Sequence, residues 1–277
     1  MSFSSLTRGV AIATASVIAL SLTACAGGDT DNAPAADGSE GLGTLRVGAL
    51  PVPAGDMLKW ISENLAEEAG LTIEWQEFTD YNTPNPALSD GSVDANLFQN
   101  STFLETYNEQ AGDDLISVGE IYLPAAAFYS EKVDSIDELK DGATVAIPND
   151  PTNEGRALGL LAAEGVIEIA DGATTLAEIT DNPKNLTFIE IENASLALAL
   201  PDNDASFVTA SFAIPAGLSD EQAILFEGTD SEYYNVLATR AELKDDPRIL
   251  ALQDMLNDER TKEFILETWK GLIVPVD

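Results

Sequence analysis

The side chains best suited to bind a small anion lie in a polar loop between a predicted strand and a predicted helix. Asp150 or Asn149 is a suitable N-cap for that helix, and Pro151 suits its first position. The start of a helix offers backbone N–H groups and a positive potential, and Arg156 in the second turn adds a guanidinium fork. Together these groups suit a carboxylate. The alternative is that Arg156 pairs with Glu154 or another surface acid.

Aromatic and amide side chains follow other predicted strands and could complete a small-molecule pocket. Tyr81 comes just after the strand Leu71–Phe78, Phe98-Gln99-Asn100 ends a strand that begins at Val93, and Tyr234-Asn235 opens a later strand. Ligands of α/β proteins bind at such strand ends or between domains. As alternatives, each aromatic ring could pack in the core and each amide could hold a loop.

The composition excludes several kinds of chemistry. The chain of 277 residues has no histidine and one cysteine, so His-dependent metal sites, Ser–His or Cys–His nucleophile pairs and an internal disulfide are impossible. A formal net charge of −35 opposes binding to nucleic acid. No P-loop, G-x-G-x-x-G or G-x-S-x-G motif is present, and we predict no catalytic residue, metal or cofactor. The sequence does not exclude a catalytic pair of carboxylates, because 48 acidic residues make chance pairs common.

The elements that must position these side chains alternate along the chain. Strand, helix and strand succeed one another over residues 45–78, which indicates a βαβ unit and a mostly parallel sheet. The pattern exceeds what one small sheet needs, so we expect an α/β fold with two lobes. The predicted strands are Leu45–Leu50, Leu71–Phe78, Val93–Phe98, Leu115–Ile121, Ala125–Tyr129, Thr144–Ile147, Leu186–Ile191, Ala205–Thr209 and Tyr234–Thr239. The predicted helices are Met57–Leu65, Ser101–Gln110, a short one opened by a capping box at Ser135–Glu138, Thr152–Glu164, Pro247–Leu256 and Asp258–Trp269.

The first 24 residues differ in character from the rest. Arg8 is their single basic residue, no acid occurs, and the apolar stretch Gly9–Leu20 is too short to span a membrane comfortably. This pattern predicts a signal peptide over residues 1–24, and Leu22-Thr23-Ala24-Cys25 resembles the lipobox of bacterial lipoproteins. The alternative is an ordinary secretory signal beside a chance cysteine. Residues 25–43 then form a lipidated Cys25 and a flexible tether rich in Gly, Ala and Asp, which places the protein on the extracytoplasmic face of a cell membrane.

Several runs resemble the methionine-binding lipoproteins of the MetQ, or NlpA, family. They are Asp80-Tyr81, Pro84-Asn85 with Ala87-Leu88, Asp94-Ala95-Asn96 with Phe98-Gln99, Pro148–Gly155 with Arg156, and Asn182–Leu186. The resemblance runs from about Leu45 to the C-terminus, and Pro-Asn-Asp-Pro-Thr-Asn is its most specific part.

The resemblance implies a fold, a ligand and partners. The fold resembles that of periplasmic binding proteins of type 2: lobe 1 takes residues 44–124 plus 232–277, lobe 2 takes residues 125–231, and a ligand is closed between them. The implied ligand is L-methionine, a related amino acid or a short peptide. The implied partners are an ABC permease with its ATPase, and a membrane reached through the lipid anchor. Because no catalytic motif is present, we expect no enzymatic activity.

The resemblance also implies roles for single residues. Arg156 would hold the ligand carboxylate with help from Asn153, Asn235 would bind the amino or carboxylate end, and Tyr81 and Phe98 would form apolar walls. Asn100, Phe103 and Thr209 complete the eight residues predicted to bind the ligand. Four positions depart from the family pattern and put the exact ligand in doubt: Asn100 where His is frequent, Phe103 where Tyr is usual, Thr209 where an Asn contacts the ligand, and Pro124 in place of an aromatic residue. These departures motivate an alternative function, a surface interaction lipoprotein without a transport role. A hydrolase on the same anchor is a further alternative, which no nucleophile in the sequence supports.

Overall fold

Thirteen strands and eight helices make up the part of the chain that the structure, a computed structural model, describes, residues 41–277. The predicted signal peptide, Cys25 and nearly all of the tether lie outside the described residues. The strands are β1 Gly43–Ala49, β2 Leu71–Glu77, β3 Ala95–Asn100, β4 Ile116–Pro124, β5 Ala126–Tyr129, β6 Thr144–Pro148, β7 Glu168–Ile169, β8 Ile179–Asp181, β9 Thr187–Ile191, β10 Ala205–Thr209, β11 Ala223–Phe226, β12 Asn235–Thr239 and β13 Ile273–Pro275. The helices are α1 Asp56–Asn64, α2 Pro84–Ser89, α3 Ser101–Ala111, α4 Pro151–Ala163, α5 Asn193–Ala199, α6 Ala210–Ala216, α7 Pro247–Leu256 and α8 Glu259–Trp269.

The first sheet has six strands in the order β13-β4-β12-β3-β1-β2. Strands β2, β1 and β3 run parallel, as the predicted βαβ unit requires, while β12 is antiparallel to both of its neighbours. The side chains of β12 alternate between the two faces: Val236 and Ala238 pack with the helices α2 and α3, and Leu237 packs with α1, α7 and α8. Helices therefore cover both faces of this sheet.

The second sheet has five strands in the order β11-β5-β10-β6-β9, and a separate pair is formed by β7 and β8. Strands β10, β6 and β9 are parallel, and β5 pairs antiparallel with β10 and β11. Leu158 and Leu161 of α4 are fully buried against one face, and Leu196 of α5 and Ala213 of α6 pack on the other. The α/β class with two sheets, predicted from the sequence, is thus present.

The chain passes between the two sheets twice. The first crossover is Ala125, between β4 and β5, and the second is the segment 227–234, between β11 and β12. Apart from Gly43, the strands of the six-stranded sheet fall within the predicted lobe 1, residues 44–124 plus 232–277, and those of the five-stranded sheet fall within the predicted lobe 2, residues 125–231. The exact lobe boundaries stay a prediction. No helix within residues 41–277 combines the length and the apolar character needed to cross a membrane.

The structure departs from the predicted elements mainly at short ones. Helices α2, α5 and α6 and strands β7, β8, β11 and β13 were not predicted, and each has seven residues or fewer. The capping box predicted at Ser135–Glu138 is wrong, because the Glu138 carboxylate accepts from the Asp134 N–H rather than from that of Ser135, and only one 3-10 turn forms. Strand β1 begins at Gly43, inside the predicted tether, because the Gly43 N–H donates to the Gly70 carbonyl.

Candidate ligand-binding site

A small cavity of about 10 Å³ lies between the carboxyl end of β3 and the start of α4. This volume is room for about one water molecule, so the lining side chains must move apart before a metabolite can bind. Its walls come from both sheets, which places the cavity at the boundary between them. The lining residues are Tyr81, Phe98, Gln99, Asn100, Phe103, Pro124, Asn153, Arg156 and Asn235.

Seven of the eight residues predicted to bind the ligand line this cavity. The eighth, Thr209, does not line the cavity, but it contacts a residue that does: its Oγ1 lies 3.1 Å from the Tyr81 hydroxyl. Phe103 and Asn100, which depart from the family pattern, line the cavity, as does Pro124. The structure thus brings the predicted residues together, while their contact with a ligand stays a prediction.

Aromatic rings form one wall. Tyr81 is the hub, with ring centroids 5.7 Å from Phe98, 6.0 Å from Phe103 and 4.9 Å from Phe212. Such tilted and edge-on pairs are favourable beyond the burial of their area. Burial raises the pKa of Tyr81, and the Thr209 hydroxyl acts against that rise, so the phenol is neutral at ordinary pH. This wall can hold an apolar ligand side chain.

Arg156 also lines the cavity, and its side chain is 3% exposed. Its Nε donates to the Glu227 Oε1 over 2.8 Å, and its Nη2 donates to the Glu227 Oε2 and, over 3.0 Å, to the Pro124 carbonyl. The guanidinium carbon lies 4.7 Å from the centre of the Tyr233 ring. The predicted alternative, that Arg156 pairs with Glu154 or another surface acid, is right about an acid and wrong about which one: the partner is the largely buried Glu227, and the Glu154 carboxylate accepts from the Leu176 N–H.

The start of α4 is arranged differently from the predicted anion seat. Asp150 is the N-cap and Pro151 holds the first position, as predicted. The Asp150 carboxylate accepts from the Asn153 N–H and from the Nδ2 groups of Asn153 and Asn193, so a negative charge already fills the helix start. A ligand carboxylate must therefore rely on side chains more than on helix amides.

The amides of the site also have partners within the protein. Asn235 begins β12 opposite Asn100 and Tyr122, and its Nδ2 lies 3.2 Å from the Tyr122 hydroxyl. Asn100 caps α3 by accepting from the Phe103 N–H over 2.9 Å. Gln99 belongs to a buried network with Asn85 and Asn96, bonded over 2.6–3.0 Å. These bonds fix the positions of the lining side chains.

Three contributors to the site were not predicted: Glu227, Tyr233 and Phe212. None carries a local signature, because each meets the site only through tertiary contacts. Among residues 41–277 no cluster of three or more acidic or cysteine side chains is placed to hold a metal ion.

Comparison with known proteins places this fold and site in a family. A sequence model described as NlpA lipoprotein matches residues 45–277. The chain belongs to the NlpA lipoprotein family. It is 37% identical to outer membrane lipoprotein 2 of Mannheimia haemolytica, over 93% of this chain and 95% of that protein. It is 39% identical to the D-methionine-binding lipoprotein MetQ of Salmonella typhi, over 82% of this chain and 86% of that protein.

Solved structures of similar proteins show the same architecture. A nutrient binding protein from Burkholderia cenocepacia, solved bound to methionine, superposes with a TM-score of 0.81 and 35% identity, covering 84% of this chain and all of that one. The crystal structure of the methionine binding protein MetQ gives a TM-score of 0.80 at 32% identity. The predicted two-lobed binding-protein fold is thereby confirmed.

Proposed function

We propose that this protein is the substrate-binding lipoprotein of an ABC importer and that it captures L-methionine or a closely related amino acid. The observation that carries the proposal is the cavity itself, which sets Arg156 against an aromatic wall at the boundary of the two sheets. An amino acid with an apolar side chain needs a cation for its carboxylate and an apolar wall for its side chain. The solved relative that contains methionine has the same fold.

The charge of the site fits a zwitterion. Arg156 and Glu227 form a buried pair with side chains 3% and 9% exposed, so the wall presents a compensated cation rather than a bare one. A ligand with no net charge can enter without leaving an unpaired charge behind. Closure excludes water and strengthens the contact between guanidinium and carboxylate. The predicted lobes 44–124 with 232–277 and 125–231 would close around it.

The anchor and the partners belong to the same proposal. Acylation of Cys25 would hold the chain on the extracytoplasmic face of the membrane, and the tether would keep the body close to a permease and its ATPase. We expect no catalytic activity, because the residues that line the cavity include no paired nucleophile and base. Mass spectrometry of small molecules released from the purified, denatured protein tests which ligand it carries.

We expect Arg156→Ala to abolish binding of L-methionine and Arg156→Lys to weaken it by roughly 10- to 100-fold. An ammonium group has three N–H donors but lacks the planar fork with which the Nε and Nη2 groups contact Glu227. Isothermal titration calorimetry measures the effect. Arg260→Ala is the matched control, since Arg260 is 52% exposed and pairs with Asp258 on α8.

The folded state of each variant must be checked by circular dichroism, because removing Arg156 leaves the buried Glu227 without its partner. Near-normal binding in a folded Arg156→Ala protein would show that the carboxylate is held elsewhere. Binding lost equally in Arg260→Ala would show that the charge of the whole molecule, rather than the site, governs affinity.

A further inference from the structure

Arg156 contacts both segments through which the chain crosses between the sheets. Its Nη2 donates to the carbonyl of Pro124, the last residue of β4, beside the first crossover. Glu227 and Tyr233, its other two contacts, both lie in the second crossover, residues 227–234. The guanidinium of Arg156 thus contacts the chain at the second crossover and beside the first. These are the two segments about which the lobes would move.

Glu227, in the second crossover, also bonds to Ala126, which is the first residue of β5 and the neighbour of the first crossover. Its Oε2 accepts from the Ala126 N–H over 3.1 Å, and its own N–H donates to the Ala126 carbonyl over 2.9 Å. Its Oε1 also accepts from the Ser231 hydroxyl over 2.9 Å. With the two bonds from Arg156, each carboxylate oxygen accepts two hydrogen bonds, so this side chain has a single possible orientation.

The bonds to Glu227 and Pro124 use the Nε and Nη2 groups of the guanidinium. Within residues 41–277, Nη1 is the one nitrogen of Arg156 that makes no hydrogen bond to the protein. Arg156 cannot offer its Nε–Nη2 edge to a ligand while Glu227 holds it. Glu227 therefore fixes the orientation of the guanidinium and leaves Nη1 as the nitrogen that a ligand carboxylate can contact.

We propose that Glu227 is a positioning residue for carboxylate recognition: it orients Arg156 toward the ligand and, through Ala126, links that recognition to the two crossovers. The inference rests on the proposed function, since it assumes that the ligand carries a carboxylate bound by Arg156. A ligand carboxylate bound to Arg156 interacts through it with both crossovers. A ligand that lacks the carboxylate does not.

The test compares binding of L-methionine with binding of L-methioninamide, which differs only by having an amide in place of the carboxylate. The full chain, purified in detergent, is titrated as wild type, Glu227→Gln and Glu232→Gln. Glu232 is the matched control, because it is an exposed glutamate in the same crossover and its replacement changes the net charge equally. The readout is the ratio of the two dissociation constants.

We expect Glu227→Gln to lower the preference for L-methionine over the amide by about tenfold or more, since one misaligned charge-assisted hydrogen bond is worth that factor. Glu232→Gln should leave the ratio at its wild-type value. Amide hydrogen exchange at Ala126 should quicken in Glu227→Gln and not in Glu232→Gln, with or without ligand. A purely structural role would change the affinities for both compounds in proportion and would leave their ratio intact.

Ser231→Ala provides a milder variant in case Glu227→Gln does not fold. It removes one of the four bonds to the carboxylate, and we expect a fall in the ratio of about two- to threefold. An unchanged ratio in both variants, with wild-type protein that prefers L-methionine, would overturn the positioning role alone. Wild-type protein that binds neither compound would overturn the proposed function, and the inference with it.

Discussion

Glu192, the N-cap of α5, has two carboxylate oxygens in unequal surroundings. Its Oε2 accepts from the Ala194 N–H over 3.0 Å, whereas its Oε1 is buried without a partner. Burial raises the pKa of Glu192, and the carboxylates of Asp80 and Asp150 add to the rise. A raised pKa in the folded state means that this group favours folding at low pH. That contribution is complete below the unfolded-state pKa and is lost as the pH rises through the folded-state pKa.

We therefore predict that Glu192→Gln is stabilising at pH 8, where the melting temperature rises by on the order of 1–2 °C, and neutral near pH 4. The glutamine keeps an oxygen for the Ala194 N–H and removes the buried charge. Thermal melts at the two pH values measure the difference. Glu109→Gln, at an exposed position on α3, is the control and should show no such pH dependence. A gain of equal size at pH 4 would show that charge is not the cause.

At the scale of elements, the start of α4 holds in place the part of the site that lies beside the second sheet. The Asp150 side chain caps α4 through the Asn153 N–H over 2.9 Å and reaches Asn193, the first residue of α5, over 2.6 Å. One carboxylate thus fixes two helices that flank opposite faces of the sheet. Gly165, at a φ of +70°, lets the chain turn away after α4 ends.

We expect Asp150→Ala to lower the melting temperature by about 2–6 °C, since a lost N-cap costs roughly 1–2 kcal/mol and the Asn193 amide also loses its acceptor. Asp150→Asn retains an acceptor oxygen and should lose less than half as much. Differential scanning calorimetry of the two variants and the wild type gives the comparison. Equal losses would mean that the negative charge, rather than the cap, stabilises this region.

The longer elements of this fold were predictable because their signals are local. Helix α4 has Asp150 and Pro151 at its start, and β1, β2 and β10 show apolar runs of strand length. Helix α5 escaped prediction because its N-cap is a glutamate and its sequence is short, and α6 because Pro215 lies inside it. Strands β11 and β13 have four and three residues, and their neighbours in the sheets stabilise them.

Some residues of the site could likewise be predicted from the sequence and others could not. Residues that follow strands, such as Tyr81 and Asn100, could be assigned because strand ends converge on one edge of a sheet. Glu227 could not, since it is one of 48 acidic residues and meets Arg156 across 71 positions of sequence. The effect of Asp150 on the helix start also needed coordinates, because the sequence does not show where a capping carboxylate sits relative to a ligand.

For the whole molecule, the contacts between the two sheet regions decide how readily the cavity closes. The Tyr81 hydroxyl, after β2, lies 3.1 Å from the Thr209 hydroxyl at the end of β10. The Thr106 and Thr152 hydroxyls are 3.3 Å apart between α3 and α4. The Phe212 ring of α6 packs 4.9 Å from that of Tyr81. These contacts join the two sheet regions and favour the closed arrangement.

We predict that Tyr81→Phe shifts the protein toward a more open form and weakens ligand affinity by about three- to tenfold, the worth of one hydrogen bond. The ring and its packing remain, so stability should change little. Small-angle X-ray scattering of the ligand-free protein should give a larger radius of gyration. Tyr234→Phe removes a hydroxyl from a partly exposed tyrosine as the control, and an unchanged radius in Tyr81→Phe would show that the hydroxyl pair does not hold the lobes.

The position of β12 between β3 and β4 has a consequence for the order in which the chain can fold as it emerges from its N-terminal end. The five-stranded sheet is built from one continuous stretch, β5 to β11, and can pair its strands early. The six-stranded sheet starts with β1 but stays split until residues 235–239 arrive to join its two parts. The sheet that begins first is thus completed last. Until β12 is available, the unpaired edges of β3 and β4 are exposed and could pair with the wrong strand.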